Sequence, residues 1–298
     1  MKLAILGHGS VTKALLPILE QDGRFDVAGI HTRSKPAAES VEAFLDGARA
    51  HALVELTTLN PWTGEPAIGH VRAAFARGMH VVTANKGPIA FAFHELDGEA
   101  TAQGVLFRFE SAVMDGAPVF NQFRNNLPGV KVLGFAGILN STTNLVIEAM
   151  EHGGSFEDGL AAARAMGVTE ADASYDTDGW DSAAKTAALA NVLMDARTTP
   201  RQVDREGIGG LTPGRVRELV ESGRTIRLVS RGRGADLSVR AEVLERTDVL
   251  ASVRGTSNLI LFTTDLMGVV GTVSIDPGVE QTAYGVYLDL LDVMDSAC

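Results

Sequence analysis

The sequence predicts an α/β fold whose first half is a doubly wound parallel sheet. Three observations predict it. An apolar stretch at the N-terminus opens directly into a glycine turn. Apolar strand candidates then alternate with a helix candidate, the pattern of parallel strands joined by crossovers. The chain has 298 residues, 45% hydrophobic and 21% charged, which gives two domains enough material for sizeable cores.

Residues 2–6 are the first strand candidate. Gly7-His8-Gly9-Ser10-Val11-Thr12 follows, and residues 12–21 read as a helix. In a strand–turn–helix unit of this kind the first glycine permits the tight turn and the second lets the backbone approach a pyrophosphate. The helix N-terminus then faces the phosphates. Thr12 stands where a third glycine would let helix and strand pack closely. Such a turn by itself is also compatible with a plain loop. Its place after the first strand points to a dinucleotide site at Gly7, Gly9, Ser10 and Val11.

Residues 25–31 form the next strand candidate, leading into His31-Thr32-Arg33-Ser34-Lys35. An acid near this point would hold the ribose diol of NAD. Here Arg33 and Lys35 are cations and Thr32 and Ser34 offer hydroxyls, which favours the 2′-phosphate of NADP; the alternative is a solvated basic loop. Strand candidates at 52–56 and 80–83 flank a helix candidate at 68–77. Ligands of doubly wound sheets bind at the carboxyl ends of the strands. Those ends carry Thr57, Thr58, Ala84, Asn85 and Lys86. Lys86 is therefore expected at the crevice beside the cofactor, although a surface lysine after a strand is common.

The second half holds a strand candidate at 130–138, helices around 142–166 and 181–196, and strands near 225–230, 238–244 and 258–264. A last helix at 282–293 is expected to return to the first domain. The expected division is a dinucleotide-binding domain over residues 1–128, ending near Leu127-Pro128-Gly129 and completed by about 271–298, with a substrate domain over 129–270.

The stretch Glu170–Lys185 places Glu170, Asp172, Asp176, Asp178 and Asp181 before a single lysine. Asp181 and Lys185 are four apart and share a face if helical. One reading has Asp181 at a helix N-terminus, where an acid is favoured, with a surface ion pair to Lys185. The other is a site with carboxylates for a cationic substrate and a lysine for proton transfer.

A net charge of −11 argues against a general binder of nucleic acid or anionic membranes. Cys298 is the only cysteine, so there is no internal disulfide and no cysteine metal site, which suits a reducing cytoplasm. No signal peptide or membrane-spanning stretch is expected.

Val81-Val82-Thr83-Ala84-Asn85-Lys86 resembles the homoserine dehydrogenase family. Phe109-Glu110-Ser111-Ala112-Val113-Met114-Asp115-Gly116-Ala117-Pro118 is similar to that family's segment entering its second domain. Gly137-Ile138-Leu139-Asn140-Ser141-Thr142-Thr143-Asn144 is similar to its G-I-L-N-G-T-T-N signature. Glu170 to Lys185 matches its acid-rich segment in spacing, and Thr282-Ala283 with Asp289-Leu290 resembles its closing elements. The ordered motifs cover nearly the whole chain.

The resemblance implies a Rossmann-type domain followed by an α+β substrate and dimerisation domain. It implies an NADP- or NAD-linked oxidation of L-homoserine to L-aspartate 4-semialdehyde, or the reverse. Lys86 and Lys185 are then the two lysines facing the reacting oxygen, with Lys185 favoured as acid/base, Lys86 as its electrostatic partner and Asp181 orienting Lys185. Glu170, Asp176 and Asp181 surround the substrate, and Asn140, Thr142 and Thr143 belong to a loop near it. Ser111, Gly278 and Thr282 join the cofactor set. The resemblance also implies a monovalent cation, Na+ or K+, on backbone oxygens around Glu110, Val113, Asp115 and Ala117; the alternative is an ordinary inter-domain loop. A homodimer is expected.

The chain departs from the family pattern at Thr12, Asp115, Ser141, Ala173-Ser174 and Asp276-Pro277-Gly278. Thr12 is expected to loosen cofactor packing, and Asp276 to repel phosphate if it points inward. The departures keep open a related dehydrogenase acting on another amino alcohol or hydroxy acid; a cofactor-binding sensor without turnover is disfavoured by the two lysines. No C-terminal regulatory domain is expected after Asp289-Leu290-Leu291.

Overall fold

The computed structural model describes residues 1–169 and 172–296. The chain begins with β1 (Lys2–Leu6), α1 (Ser10–Asp22), β2 (Asp26–His31), α2 (Val41–Ala48), β3 (Ala52–Glu55), α3 (Ala67–Phe75), β4 (His80–Thr83), α4 (Lys86–Gln103) and β5 (Phe107–Arg108). These strands form one parallel sheet in the order β2-β1-β3-β4-β5. The run Leu3–Leu6 is apolar without alternation because the sheet is covered on both faces, and all four side chains are buried.

Helix α1 starts two residues earlier than its apolar pattern suggests, because Gly9 itself serves as N-cap. Two helices escape the sequence pattern. α2 is a short helix that ends where Arg49 takes a left-handed conformation. α4 spreads its apolar residues around its circumference and is kinked at Ala92, so it shows no stripe to read.

A second group of elements follows: β6 (Val132–Ile138), α5 (Ser141–Glu151), α6 (Phe156–Ala165), α7 (Ser174–Thr177), α8 (Trp180–Leu193), β7 (Asp204–Arg205), α9 (Pro213–Glu221), β8 (Arg224–Arg233), β9 (Asp236–Glu245), β10 (Asn258–Thr264) and β11 (Val269–Ser274). Their sheet runs β11-β10-β6-β8-β9-β7 and is antiparallel except for the short β7–β9 pair. The single helical stretch expected at 142–166 is two helices, because Gly153-Gly154 breaks the chain and Ser155 restarts it with a capping box to Asp158. Helices α5, α8 and α9 pack on β8, and α8 also packs on β9.

Helix α10 (Val279–Ser296) closes the fold. Ala283, Val286, Leu290 and Val293, spaced 3, 4 and 3 apart, are fully buried against Leu3, Ile5, Leu15, Leu19, Val54 and Val82. Burying each of the larger side chains contributes about 1.5–3 kcal/mol, which is enough to dock a helix distant in sequence on the first sheet. The chain divides into two compact units. One is Met1–Asn126 with the segment from Gly278 onward, and the other is Leu127–Pro277. β11 therefore belongs to the second unit.

Candidate active site

In the first unit the turn after β1 carries Gly7 at φ +96°, where a Cβ would lie 2.3 Å from the Leu56 carbonyl oxygen. Only glycine fits there. Gly9 has open space on the side where a Cβ would stand, and as N-cap it brings no side-chain acceptor to the first turn of α1. The leading N–H groups of a helix have no intrahelical partner and suit an anion. A cavity of about 260 Å³ lies over this turn, lined by Gly9, Ser10, Val11 and Thr12, by Leu56 to Leu59, by Ala84 to Lys86, and by Thr282. The expected cofactor residues Gly9, Ser10, Val11, Thr57, Thr58, Asn85, Lys86 and Thr282 thus share one cavity. An open glycine, an uncapped helix N-terminus and strand ends in one concavity fit the diphosphate of a dinucleotide.

Thr12 does not loosen this turn. It is fully buried and its Oγ1 donates to the Gly7 carbonyl at 3.1 Å, so the hydroxyl braces the loop from below. Gly7 underlies the cavity without lining it. Thr32 and Arg33 follow β2 outside the lining, and the Thr32 hydroxyl accepts from the Lys35 N–H at 2.9 Å. The Ser111 hydroxyl donates to the Thr282 carbonyl at 2.8 Å, and the Gly278 N–H donates to Gln281 Oε1 at 2.8 Å; neither residue lines the cavity.

The second unit gathers the acid-rich segment on the N-terminal end of α5. Asn140 is the N-cap: its Oδ1 accepts from the Thr143 N–H at 2.9 Å. Its Nδ2 donates to Asp176 Oδ1 at 2.7 Å and to Asp181 Oδ2 at 3.0 Å. Thr142 Oγ1 at 3.1 Å and Thr169 Oγ1 at 3.0 Å both donate to Asp176 Oδ2. Thr143 Oγ1 turns back to the Asn140 carbonyl at 3.0 Å. Lys185 Nζ lies 2.9 Å from Asp181 Oδ2 and donates to the Leu139 carbonyl at 2.5 Å.

Asp181 does stand in the first turn of α8, where an acid is favoured, but it does not cap the helix. Gly179 is the N-cap of α8, and Asp181 is only 8% exposed. The Lys185 side chain is 15% exposed, so this is no surface pair. Of the five carboxylates, Asp176 and Asp181 converge. Asp172 accepts from the Ser174 N–H at 2.9 Å, and Asp178 is exposed at the end of α7. Glu170 lies outside the described residues. Burial, and then the charge of Asp181, push the Asp176 carboxyl above its ordinary range; Asn140, Thr169 and Lys185 oppose this. Burial also raises the Tyr175 phenol, whose hydroxyl has no hydrogen-bond partner among the described residues. A confined anionic site in which the Asp176 carboxyl resists ionisation is what an ammonium group relieves. Thr169 and the Leu139 carbonyl join the cluster without any sequence signal. Ser141, in place of the family's glycine, donates to the Thr256 carbonyl at 2.9 Å. Asp276 accepts from the Ser257 hydroxyl at 3.3 Å, so its carboxylate is engaged within its own unit.

At the loop expected to hold a cation, the Glu110 carboxylate is 1% exposed and accepts the N–H groups of Val119 at 2.5 Å, Phe120 at 2.9 Å and Asn121 at 2.6 Å. Its side chain is thus committed to folding the following turn. Asp289, pushed up to about 7 mainly by burial, accepts from the Glu110 N–H at 2.7 Å. Asp115 sits at φ +55° and accepts from Thr282 Oγ1 at 3.3 Å; the Ala117 N–H donates to the Met114 carbonyl at 2.9 Å. No group of three His, Cys, Asp or Glu side chains is arranged for a metal among the described residues.

A family model for homoserine dehydrogenase matches residues 118–291, more than half of the chain. The NAD(+)-dependent homoserine dehydrogenase of Pseudomonas canavaninivorans is 37% identical over 261 residues, covering 86% of this chain and 74% of that one. The chain belongs to the homoserine dehydrogenase family. Among solved structures, a putative homoserine dehydrogenase from Archaeoglobus fulgidus superposes with a TM-score of 0.89 at 27% identity, covering 98% of this chain and 99% of that one. A hyperthermophilic archaeal homoserine dehydrogenase mutant in complex with NADPH superposes with a TM-score of 0.87 at 25% identity, covering 99% and 98%. The fold class, an α/β protein with a parallel five-stranded sheet and a second sheet, agrees with these homoserine dehydrogenases. Among the described residues no helix is long and apolar enough to cross a membrane.

Proposed function

We propose that this chain is an NAD(P)-dependent oxidoreductase interconverting L-homoserine and L-aspartate 4-semialdehyde. The observation that carries the reading is the buried cluster of Asn140, Asp176, Asp181 and Lys185, which offers an ammonium group two carboxylates and a hydroxyl group a lysine. The nicotinamide cofactor, when bound, supplies the hydride acceptor or donor. The chain must orient the alcohol and handle its proton.

Asp176 and Asp181, with Glu170, are assigned to the substrate ammonium. Asn140, Thr142 and Thr143 hold those carboxylates or the loop that bears them. Lys185 is assigned as acid/base. Asp181 and the Leu139 carbonyl orient its Nζ, which gives a proton to the carbonyl oxygen during reduction and takes it from the hydroxyl during oxidation. Lys86 is assigned as its electrostatic partner, stabilising developing alkoxide charge.

The unit from Met1 to Asn126, with α10, is assigned to the cofactor, and Leu127–Pro277 to the substrate. Gly7, Gly9, Ser10, Val11, Thr57, Thr58, Asn85, Lys86 and Thr282 form or underlie the dinucleotide cavity, with Ser111 and Gly278 supporting α10. NADP is the preferred form, on the strength of Thr32, Arg33 and Lys35 after β2. Glu110, Val113, Asp115 and Ala117 are the candidates for a Na+ or K+ ion. A homodimer is supported by the edge strand β11 of the second sheet, which carries exposed valines. Val269 and Val273 of β11 are both more than half exposed. A cytoplasmic setting is supported by the single cysteine.

The test is reduced-cofactor absorbance with L-homoserine and NADP, then NAD, at alkaline pH, for the wild type and Lys185→Ala. Turnover that vanishes in the variant supports the assignment. Cofactor binding without homoserine turnover sinks the substrate.

A further inference from the structure

The carboxylate of Glu55, the last residue of β3, has no role in the scheme above. The side chain is fully buried (0% exposed), beneath the residues that line the cofactor cavity. Burial raises its pKa, and hydrogen bonds from Thr57 and Thr83 oppose that. Holding an acid there is costly unless donors surround it, and the donors present are specific.

They form a closed circuit. Glu55 Oε1 accepts from the Thr57 N–H at 2.9 Å and from the Thr57 hydroxyl. Glu55 Oε2 accepts from the Thr83 hydroxyl at 2.8 Å. That hydroxyl in turn accepts from the Asn85 N–H at 2.9 Å. Asn85 Nδ2 donates to the Thr57 carbonyl at 3.2 Å and closes the ring. Asn85 Oδ1 caps α4 by accepting from the Gly87 N–H at 3.0 Å, which fixes the helix turn that begins at Lys86. The ring joins the loop after β3 to the loop after β4, and both Thr57 and Asn85 reach the cavity surface.

In a sheet of this order the pyrophosphate sits at the β1–α1 turn and the adenosine ribose at the end of β2. The remainder of the dinucleotide extends the other way, over the ends of β3 and β4. The geometry points to Glu55 as the positioning residue for the nicotinamide half of the cofactor face, acting through Thr57, Thr83 and Asn85. This rests on the cofactor reading above. A glutamine at position 55 has one acceptor oxygen, so its amide must face either the two Thr57 donors or the Thr83 hydroxyl. With the oxygen on Thr57, the NH2 meets a Thr83 hydroxyl that already accepts from the Asn85 N–H and must find another acceptor for its own proton, which weakens the anchor between the two loops while the glycine turn and β2 keep theirs.

The experiment compares two ligands on the full chain by fluorescence or calorimetric titration. One is NADPH, or NADH if the wild type binds that form. The other is the fragment lacking the nicotinamide mononucleotide half, 2′,5′-ADP or AMP respectively. Glu55→Gln is expected to weaken the whole cofactor roughly 10-fold, the size of one charge-assisted hydrogen bond, and the fragment by less than about twofold, as for a change remote from its site. Thr83→Val is expected to behave likewise and Thr83→Ser to restore binding; this pair decides the matter if Glu55→Gln does not fold. Equal weakening of both ligands would make Glu55 a general stability element and overturn the proposal, as would unchanged NADPH affinity. A wild type that binds cofactor but leaves homoserine untouched removes the substrate reading, while the two binding arms still judge Glu55. A wild type that binds neither cofactor overturns both.

Discussion

Asp176→Asn tests the substrate assignment with little disturbance to the fold. Asp176 accepts three hydrogen bonds, one on Oδ1 from Asn140 and two on Oδ2 from Thr142 and Thr169. An asparagine can keep its amide oxygen toward Asn140 and place its NH2 toward the two hydroxyls. Both hydroxyls can rotate to accept, and Thr142 already lies 3.4 Å from a second acceptor, the Val168 carbonyl. The Thr142 proton has that acceptor and Thr169 is only half-buried, so stability should change by no more than about 1 kcal/mol. What disappears is one of the charges assigned to the substrate ammonium. A charge-assisted hydrogen bond contributes about 1.5–3 kcal/mol net, so the KM for homoserine should rise about 10- to 100-fold, with cofactor affinity unchanged. Steady-state kinetics at saturating cofactor, with a melting curve as control, measures this. An unchanged homoserine KM in a folded Asp176→Asn protein would refute the ammonium assignment.

Further outcomes follow from individual contacts. Lys185→Met should lower kcat by about 10²–10⁴-fold while cofactor titration stays normal; a kcat within a few-fold of wild type removes Lys185 from proton transfer. Gly7→Ala should abolish measurable cofactor binding and cost about 1–3 kcal/mol, because its methyl meets the Leu56 carbonyl at a strained φ of +96°; normal titration and melting would contradict that geometry. Glu151→Ala should cost about 3–5 kcal/mol, since it strips Arg227, 1% exposed, of a partner at 2.8 Å, and a calorimetric scan reads the loss. The raised carboxyl of Asp176 binds its proton more tightly folded than unfolded, so it favours the fold in acid. That contribution is lost as pH rises from the ordinary value of 3.8 through the raised one. The melting temperature should therefore fall less across this window in Asp176→Asn than in the wild type, and identical slopes would exclude Asp176 as the source.

Much of the first unit is legible in the sequence because its signals are local. β1, the glycine turn and α1 are consecutive, and each glycine position answers to a backbone need that can be stated beforehand. The strand ends carrying Thr57 and Asn85 follow from the rule that ligands meet carboxyl ends. α4 is less legible: its apolar residues encircle it, and a buried helix needs no stripe.

The sequence by itself determined which residue types were available. It supplied an acid-rich segment with a lysine four residues after an aspartate, a glycine turn after the first strand, and an apolar spacing in residues 279–296 suited to docking on a sheet. Tertiary structure alone decided which acids matter. Asp172 and Asp178 are the same residue type as Asp176 and Asp181, but only the latter two face the Asn140 cap, contributed from more than thirty residues upstream. It alone brought Thr169 and the Leu139 carbonyl to that cluster, and closed the ring from Glu55 through Thr57, Asn85 and Thr83. The physical reason is that burial and hydrogen-bond partnership are properties of three-dimensional neighbours. A carboxylate's charge is written in its residue type, whereas the cost of keeping that charge, and so its use, is set by what the fold packs around it.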